Sequence, residues 1–137
     1  MKILVVEPYP YTRQTLTQLL RELGHEVYRV EECDETIPFL NSFWPDAIVM
    51  NYFLGEQTAF QLCSEIQDLF GEMPRMIIHS PVPQGSTAEI RALTLHFPEA
   101  VFVGSPFRAD ELQAVLQAFG HNPDADPEAA AFAALTG

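Results

Sequence analysis

Five short apolar runs, separated by longer amphipathic segments, constrain the fold more than any other feature of this sequence. The segments cover Ile3–Val6, Glu26–Val30, Ala47–Asn51, Arg75–Ser80 and Ala100–Val103, and all except Glu26–Val30, which contains Glu26 and Arg29, have a continuous apolar centre. Strands that are apolar without alternation are typical of a parallel sheet that is covered on both faces. The pattern therefore predicts an α/β protein built on a five-stranded parallel sheet.

The segments between these runs carry helical spacing and helix-boundary residues. We predict helices over Pro10–Leu23, Asp34–Phe43, Thr58–Phe70, Ser86–Phe97 and Ala109–Phe119. Gly24 ends the first helix, and Pro38 makes the second one short or late to start. Strict alternation of strand and helix, with right-handed crossovers, predicts a doubly wound domain over residues 1–120. Residues 121–137 form an acidic, Pro- and Ala-rich tail in which Asp126-Pro127-Glu128 could begin a short helix.

The composition limits the classes of function. The chain has 137 residues, which suits one domain, and its formal net charge is −12, which repels nucleic acid and anionic lipid. No run approaches the length of a membrane span, so we expect a cytoplasmic protein with no membrane contact. Cys33 and Cys63 have no metal-ligand spacing and are expected to be free thiols.

Polar residues stand at the last position of four of the five predicted strands or within two residues after it. They are Glu7, Asn51, Ser80 and Ser105. Because the carboxyl ends of parallel strands meet at one edge of the sheet, where ligands usually bind in open α/β folds, these side chains are expected to surround one pocket.

Four stretches with these residues resemble the receiver domain of two-component response regulators. They are ILVVEP, PDAIVMNYFLG, MIIHSP and VFVGSPF, in that order, and the resemblance covers about residues 1–119. It implies the flavodoxin-like receiver fold, with strand order 2-1-3-4-5. It also implies a set of site positions: an acidic pair after the first strand, a phospho-accepting aspartate after the third, a hydroxyl after the fourth and a lysine after the fifth.

This sequence departs from the family at most of these positions. The acidic pair becomes Glu7 and Pro8, the phospho-acceptor becomes Asn51, and the lysine becomes Ser105. Ser80 keeps the hydroxyl, and Phe102 keeps the aromatic residue that the family uses as a conformational switch. The resemblance thus implies an atypical pseudo-receiver. We expect no catalytic residue, no bound metal and no cofactor.

The chemistry of Asn51 supports this interpretation. An amide cannot form an acyl phosphate, because its nitrogen is not nucleophilic and its oxygen is neutral. A buried lysine beside a neutral amide would lack a counter-charge, which explains why the lysine is lost together with the aspartate. We expect Glu7 to be a partly exposed acid, hydrogen-bonded to Asn51 or to a backbone amide, rather than a metal ligand. His79 is not expected to act with Ser80 as base and nucleophile, because adjacent residues of a strand face opposite sides of the sheet.

Another acidic group, EECDE at residues 31–35, is interpreted as a solvated loop with acids at a helix N-terminus, where the helix dipole favours them.

The function predicted from the sequence is a phosphorylation-independent signalling module that acts by binding a protein partner. The resemblance implies a homodimer or partner surface on Thr87–Phe97, Ala100–Val103 and Ala109–Phe119. Opposite charges in this region could pair across a two-fold axis; they are Glu89, Arg91, Arg108, Asp110 and Glu111. Two alternatives stay open: a sensor that binds a small ligand in the altered pocket, and a receiver phosphorylated by an unconventional route, for which only Glu7 is near.

Overall fold

A computed structural model describes residues 1–80, 88–104 and 106–120, apart from the side chain of Glu89. The chain divides into two compact units, Met1–Phe107 and Arg108–Gly137. The first unit contains the whole sheet, and the described part of the second unit is residues 108–120. The predicted tail, residues 121–137, and Ser105 lie outside the described residues.

The first unit is a five-stranded parallel sheet in the order β2-β1-β3-β4-β5. Its strands are β1 (Lys2–Val6), β2 (Glu26–Val30), β3 (Ala47–Asn51), β4 (Arg75–Ser80) and β5 (Val101–Gly104). Its helices are α1 (Pro10–Glu22), α2 (Thr36–Ser42), α3 (Ala59–Phe70) and α4 (Ala88–His96), and α5 (Ala109–Gly120) belongs to the second unit. The predicted fold class and strand order are confirmed.

The larger apolar core lies on one face of the sheet. Alternate residues of the central strands, such as Val6, Met50 and Ile78, are fully buried there. They form one cluster with buried residues of α2, α3 and α4, which are Leu40, Ala59, Leu62, Cys63, Ile66, Ile90 and Leu93. The residues between them on the strands point to the opposite face, on which α1 buries Leu16 and Leu20. Both faces are covered, as the continuous apolar strands require.

The region before α2 differs from the prediction in detail. Residues Cys33–Glu35 form one turn of 3₁₀ helix, and α2 begins only at Thr36. Pro38 is the third residue of α2, where a backbone N–H would have no partner inside the helix, so the missing N–H costs little. The helix is short, as the proline predicted.

The turn after β3 sets the direction of the chain as it leaves the sheet. Gly55 has φ +87°, a conformation that side chains disfavour, and the Leu54 N–H donates to the Gln57 carbonyl across the turn at 2.9 Å. Thr58 then caps α3, because its hydroxyl accepts from the Gln61 N–H while the Gln61 side chain accepts from the Thr58 N–H. The end of β3 is therefore held in one geometry.

Both cysteines are free thiols, as predicted. Burial raises the pKa of the Cys63 thiol to about 12. Within the described ranges no helix is both long enough and apolar enough to span a membrane.

Candidate functional site

The register of the sheet places three polar residues in one row at its carboxyl edge. Val6 is level with Met50, so Glu7, the next residue, lies beside Asn51, and Asn51 is itself level with His79. Residues level with each other in a parallel sheet point to the same face. The three side chains thus belong to neighbouring strands β1, β3 and β4 and converge on one point, on the α1 side of the sheet.

Glu7 is the centre of this cluster. Its Oε1 accepts from Asn51 Nδ2 at 3.2 Å, and its Oε2 lies 3.1 Å from His79 Nε2. Its backbone carbonyl accepts from an Arg13 guanidinium N–H at 3.0 Å, which ties the end of β1 to α1. Of the two predicted kinds of partner, Asn51 or a backbone amide, the structure has the bond to Asn51. The prediction of a partly exposed acid is wrong, because Glu7 is 0% exposed and its carboxylate is engaged by Asn51 of β3 and His79 of β4.

Asn51 joins Glu7 to the turn after β3. The residue is 7% exposed, and its Oδ1 accepts from the Phe53 N–H at 3.0 Å. A backbone N–H can only donate, so the amide oxygen faces Phe53 and the amide nitrogen faces the Glu7 carboxylate. The amide therefore fits between an acceptor and a donor, which a carboxylate at the same position would not do.

His79 is the member of the site that the sequence prediction missed. It is 1% exposed, its ring lies edge-on to Phe107 with centroids 5.6 Å apart, and its carbonyl accepts from the Tyr52 N–H at 2.9 Å. Its Nδ1 has no hydrogen-bond partner within residues 1–80, 88–104 and 106–120. A carboxylate oxygen can only accept, so the 3.1 Å contact requires the Nε2 N–H of His79 to donate to Glu7.

One signal in the sequence could have identified His79. If the apolar runs of β3 and β4 are aligned as parallel neighbours, the residue level with Asn51 is His79 and not Ser80. The prediction treated the last polar residue of each run as the site residue. Register, which the runs alone do not fix, decides which residue faces the carboxylate.

The other predicted positions are arranged around this row. Ser80 is buried and, as the neighbour of His79 along the strand, points to the opposite face. Pro8 is half-buried and begins the loop before α1, and it offers no ligand. Phe102 is half-buried on β5 and packs against the larger core cluster. Ser105, at the expected lysine position, is outside the described residues.

The residues of the cluster do not fit the divalent cation that the resemblance would imply. Both carboxylate oxygens of Glu7 have partners, and the Asn51 amide presents its N–H group rather than its oxygen. Mg²⁺ binds hard, preferably anionic, oxygens in near-octahedral geometry. Glu7, Asn51 and His79 offer one carboxylate, already engaged, and no second anion.

A second group of acids lies at the same edge of the sheet, after β2. In the described part of the chain, Glu32, Asp34 and Glu35 are the only three acidic, histidine or cysteine side chains whose ligand atoms approach within 4.8 Å of one another, and all three are exposed. Glu32 and Glu35 cap the 3₁₀ turn reciprocally, and the Glu32 N–H donates to Glu35 Oε1 at 3.1 Å. This arrangement agrees with the prediction of solvated acids at a helix N-terminus.

Comparisons with known proteins agree on the fold. No protein-family model matches the chain, and no curated protein matches it. Among solved structures, a two-component response regulator from Clostridium difficile has a TM-score of 0.75 at 19% identity, over 87% of this chain and 94% of that one. A CheY-like response regulator receiver domain from Methylobacillus flagellatus has a TM-score of 0.73 at 18% identity, over 87% and 98%.

A third similar structure contains a metal. It is the receiver domain of a sensor histidine kinase from Pseudomonas aeruginosa, with a magnesium ion coordinated in its active-site cleft, and it has a TM-score of 0.72 at 24% identity, over 86% and 95%. At these identities the similarity establishes that this chain has the receiver fold. It does not carry over the metal or the chemistry, which depend on individual residues.

Proposed function

We propose that this chain is a receiver-like signalling module that acts through protein–protein contact and is not switched by aspartyl phosphorylation. The observation that carries the proposal is the hydrogen bonding of Asn51, at the position where the resemblance implies a phospho-accepting aspartate. Its nitrogen donates to Glu7 and its oxygen accepts from Phe53, so both ends of the amide are engaged.

The reactive groups that phosphoryl transfer needs are missing from this row. An acyl phosphate forms when a carboxylate oxygen attacks phosphorus, and an amide has no such nucleophile. Glu7 is the nearest carboxylate, but it is completely buried and both of its oxygens are engaged. A route through Glu7 would require the cluster to break and the side chain to reach solvent, which argues against the alternative of unconventional phosphorylation.

Intact-mass spectrometry after incubation with acetyl phosphate and Mg²⁺ tests this part of the proposal. We expect no adduct, and an aspartate-containing receiver domain treated in parallel should gain one phosphoryl group. A phosphoryl adduct on this chain that is lost at alkaline pH would overturn the proposal. An adduct that survives in Asn51→Ala but not in Glu7→Gln would identify Glu7 as the acceptor.

A partner surface is the remaining means of action. The resemblance implies that it involves α4, β5 and α5 and that it can form a homodimer. Exposed charges occur on both units: Arg91 on α4, and in the second unit Arg108, whose guanidinium bonds Asp110 Oδ2 at 2.9 Å with both side chains mostly exposed. Exposed pairs of this kind contribute about 0–1 kcal/mol, so they would set the register of a dimer more than its affinity.

Sedimentation equilibrium of the wild type and of Arg91→Glu, at several salt concentrations, tests the dimer. A net charge of −12 opposes association at very low ionic strength, so the dimer is expected to tighten as salt is first added. Arg91→Glu should weaken it, and Arg21→Glu, on α1, is the matched control with the same change in charge. A monomer at high protein concentration under all conditions would rule out the homodimer and leave a different protein as the partner.

A further inference from the structure

We infer that His79 is the residue that closes this site to Mg²⁺, because its ring N–H supplies the interaction that Glu7 would otherwise obtain from a bound cation. This inference deepens the proposed function and depends on it for its meaning in signalling. It concerns one residue of β4 whose neighbour, Ser80, is the one that the family pattern points to.

The buried carboxylate of Glu7 requires hydrogen-bond donors or a cation. Glu7 is 0% exposed, so bulk solvent does not reach it, and a carboxylate in such a place needs donors or a cation at both oxygens. Asn51 Nδ2 satisfies Oε1, and His79 Nε2 satisfies Oε2. The protein therefore meets the whole demand with its own side chains.

The packing around His79 opposes movement of its ring away from Glu7. A cation that used Oε2 would have to displace the imidazole N–H, and the ring is 1% exposed and in contact with Phe107. The backbone carbonyl of His79 is fixed by the Tyr52 N–H. Closely packed interiors resist movement of a ring of this size without a compensating rearrangement.

The ligand atoms around Glu7 are not those that Mg²⁺ prefers. Mg²⁺ prefers oxygen ligands, and an imidazole nitrogen is a poor substitute for the second anionic oxygen. The Asn51 oxygen faces away, towards Phe53. This row therefore lies where the resemblance implies a cation site, but nitrogen donors of Asn51 and His79 bind the Glu7 carboxylate in place of a cation.

Thermal unfolding with and without millimolar Mg²⁺ tests the inference on four proteins: wild type, His79→Val, His79→Gln and the double variant Glu7→Gln/His79→Val. Val removes the donor, whereas the Gln amide keeps one at similar reach and is the matched control. We expect no Mg²⁺-dependent change in Tm for wild type or His79→Gln. His79→Val releases Oε2 of Glu7 to a hydrated ion, which can be held through one carboxylate, so this variant should gain Mg²⁺ affinity by about tenfold or more from its very weak starting value. The gain is seen as a rise in Tm with Mg²⁺, and the double variant should lose it.

Three results would overturn the inference. One is a Mg²⁺-dependent rise in Tm of the wild type that Glu7→Gln abolishes. Another is a folded His79→Val protein that does not respond to Mg²⁺. The third is a Zn²⁺-dependent rise in the wild type that both Glu7→Gln and His79→Val abolish, which would make the pair itself a metal site.

Imidazole NMR of the wild type keeps the inference testable if His79→Val does not fold. The proton of His79 is expected on Nε2, with a resonance that millimolar Mg²⁺ leaves unchanged, and loss of that resonance on addition of Mg²⁺ would contradict the inference. This failure is distinct from failure of the proposed function: a phosphoryl adduct contradicts the function, whereas Mg²⁺ binding by the wild type contradicts only the role of His79.

Discussion

Two groups of acids at the carboxyl edge of the sheet have the same chemistry and opposite environments. Glu7 follows β1, is completely buried and is held by side chains from β3 and β4. Glu32, Asp34 and Glu35 follow β2, are exposed and serve a single turn of helix. The difference lies in the neighbours: β1 lies inside the sheet between β2 and β3, whereas β2 is an edge strand.

Only the buried group is expected to contribute to the stability of the whole sheet. A solvated carboxylate interacts weakly with its neighbours, because water screens it and competes for its hydrogen bonds. A buried carboxylate that loses a partner keeps the full cost of desolvation. Changes at Glu7 and its partners should therefore reduce the stability of the whole first unit, and changes at Glu32–Glu35 should have local effects.

The largest effect is expected for His79→Val. The substitution leaves Oε2 of Glu7 without a donor inside the protein, and we expect a loss of about 3 kcal/mol in the free energy of unfolding in the absence of Mg²⁺. Urea denaturation measures it. The matched control is His96→Val at an exposed position of α4, which loses a bond to the Ala92 carbonyl and an edge contact with Phe60 and should change stability by less than about 1 kcal/mol. Equal effects of the two substitutions would show that burial of the pair is not what stabilises it.

A smaller loss, about 2 kcal/mol, is expected for Asn51→Ala, because the amide makes one bond to Glu7 and one to the turn after β3. The same substitution at Asn41, which is exposed on α2, is the matched control and should be close to neutral. Amide hydrogen exchange gives a second readout. Faster exchange at Phe53 in Asn51→Ala is expected, since that N–H loses its acceptor, and unchanged exchange there would contradict the assigned orientation of the amide.

For Glu35→Ala the expected loss is about 0.5–1 kcal/mol, because the change removes one half of a capping pair on an exposed turn. Chemical denaturation against Glu56→Ala, an exposed acid outside the capping pair, measures the difference. A loss as large as that of His79→Val would mean that the exposed acids are not merely a local cap, and the contrast between the two groups would fail.

The smallest effect concerns pH. Desolvation, followed by the charge of the N-terminal amine, holds the pKa of His25 below its ordinary value of 6.5. As the pH falls through about 6.5, the unfolded chain takes up a proton that the folded chain does not yet bind, so stability decreases until the folded pKa is passed. His25→Gln should show a shallower decrease in Tm over this range than the wild type. Parallel curves for the two proteins would contradict the assignment.

Much of the architecture was predictable from the sequence, because it depends on local patterns. The apolar runs at Glu26–Val30 and Arg75–Ser80 match β2 and β4 residue for residue, and the strand order is the one implied by the resemblance. Asn51 was placed correctly at the end of β3, next to Glu7. These features follow from hydrophobic periodicity, helix-ending glycines and the geometry of parallel sheets.

The sequence by itself determined which kinds of groups lie at the carboxyl edge, and the tertiary structure decided which of them meet. His79 and Ser80 are both polar residues at the end of an apolar run, and the sequence pattern does not distinguish them. The register of β4 against β3 places His79, and not Ser80, level with Asn51 and on the same face as Glu7. The burial of Glu7 was not predictable either, because its side-chain partners, Asn51 and His79, lie 44 and 72 residues away along the chain. Periodicity reports the face on which a residue lies, whereas exposure and partners depend on long-range packing, which assembles only when the whole sheet has formed.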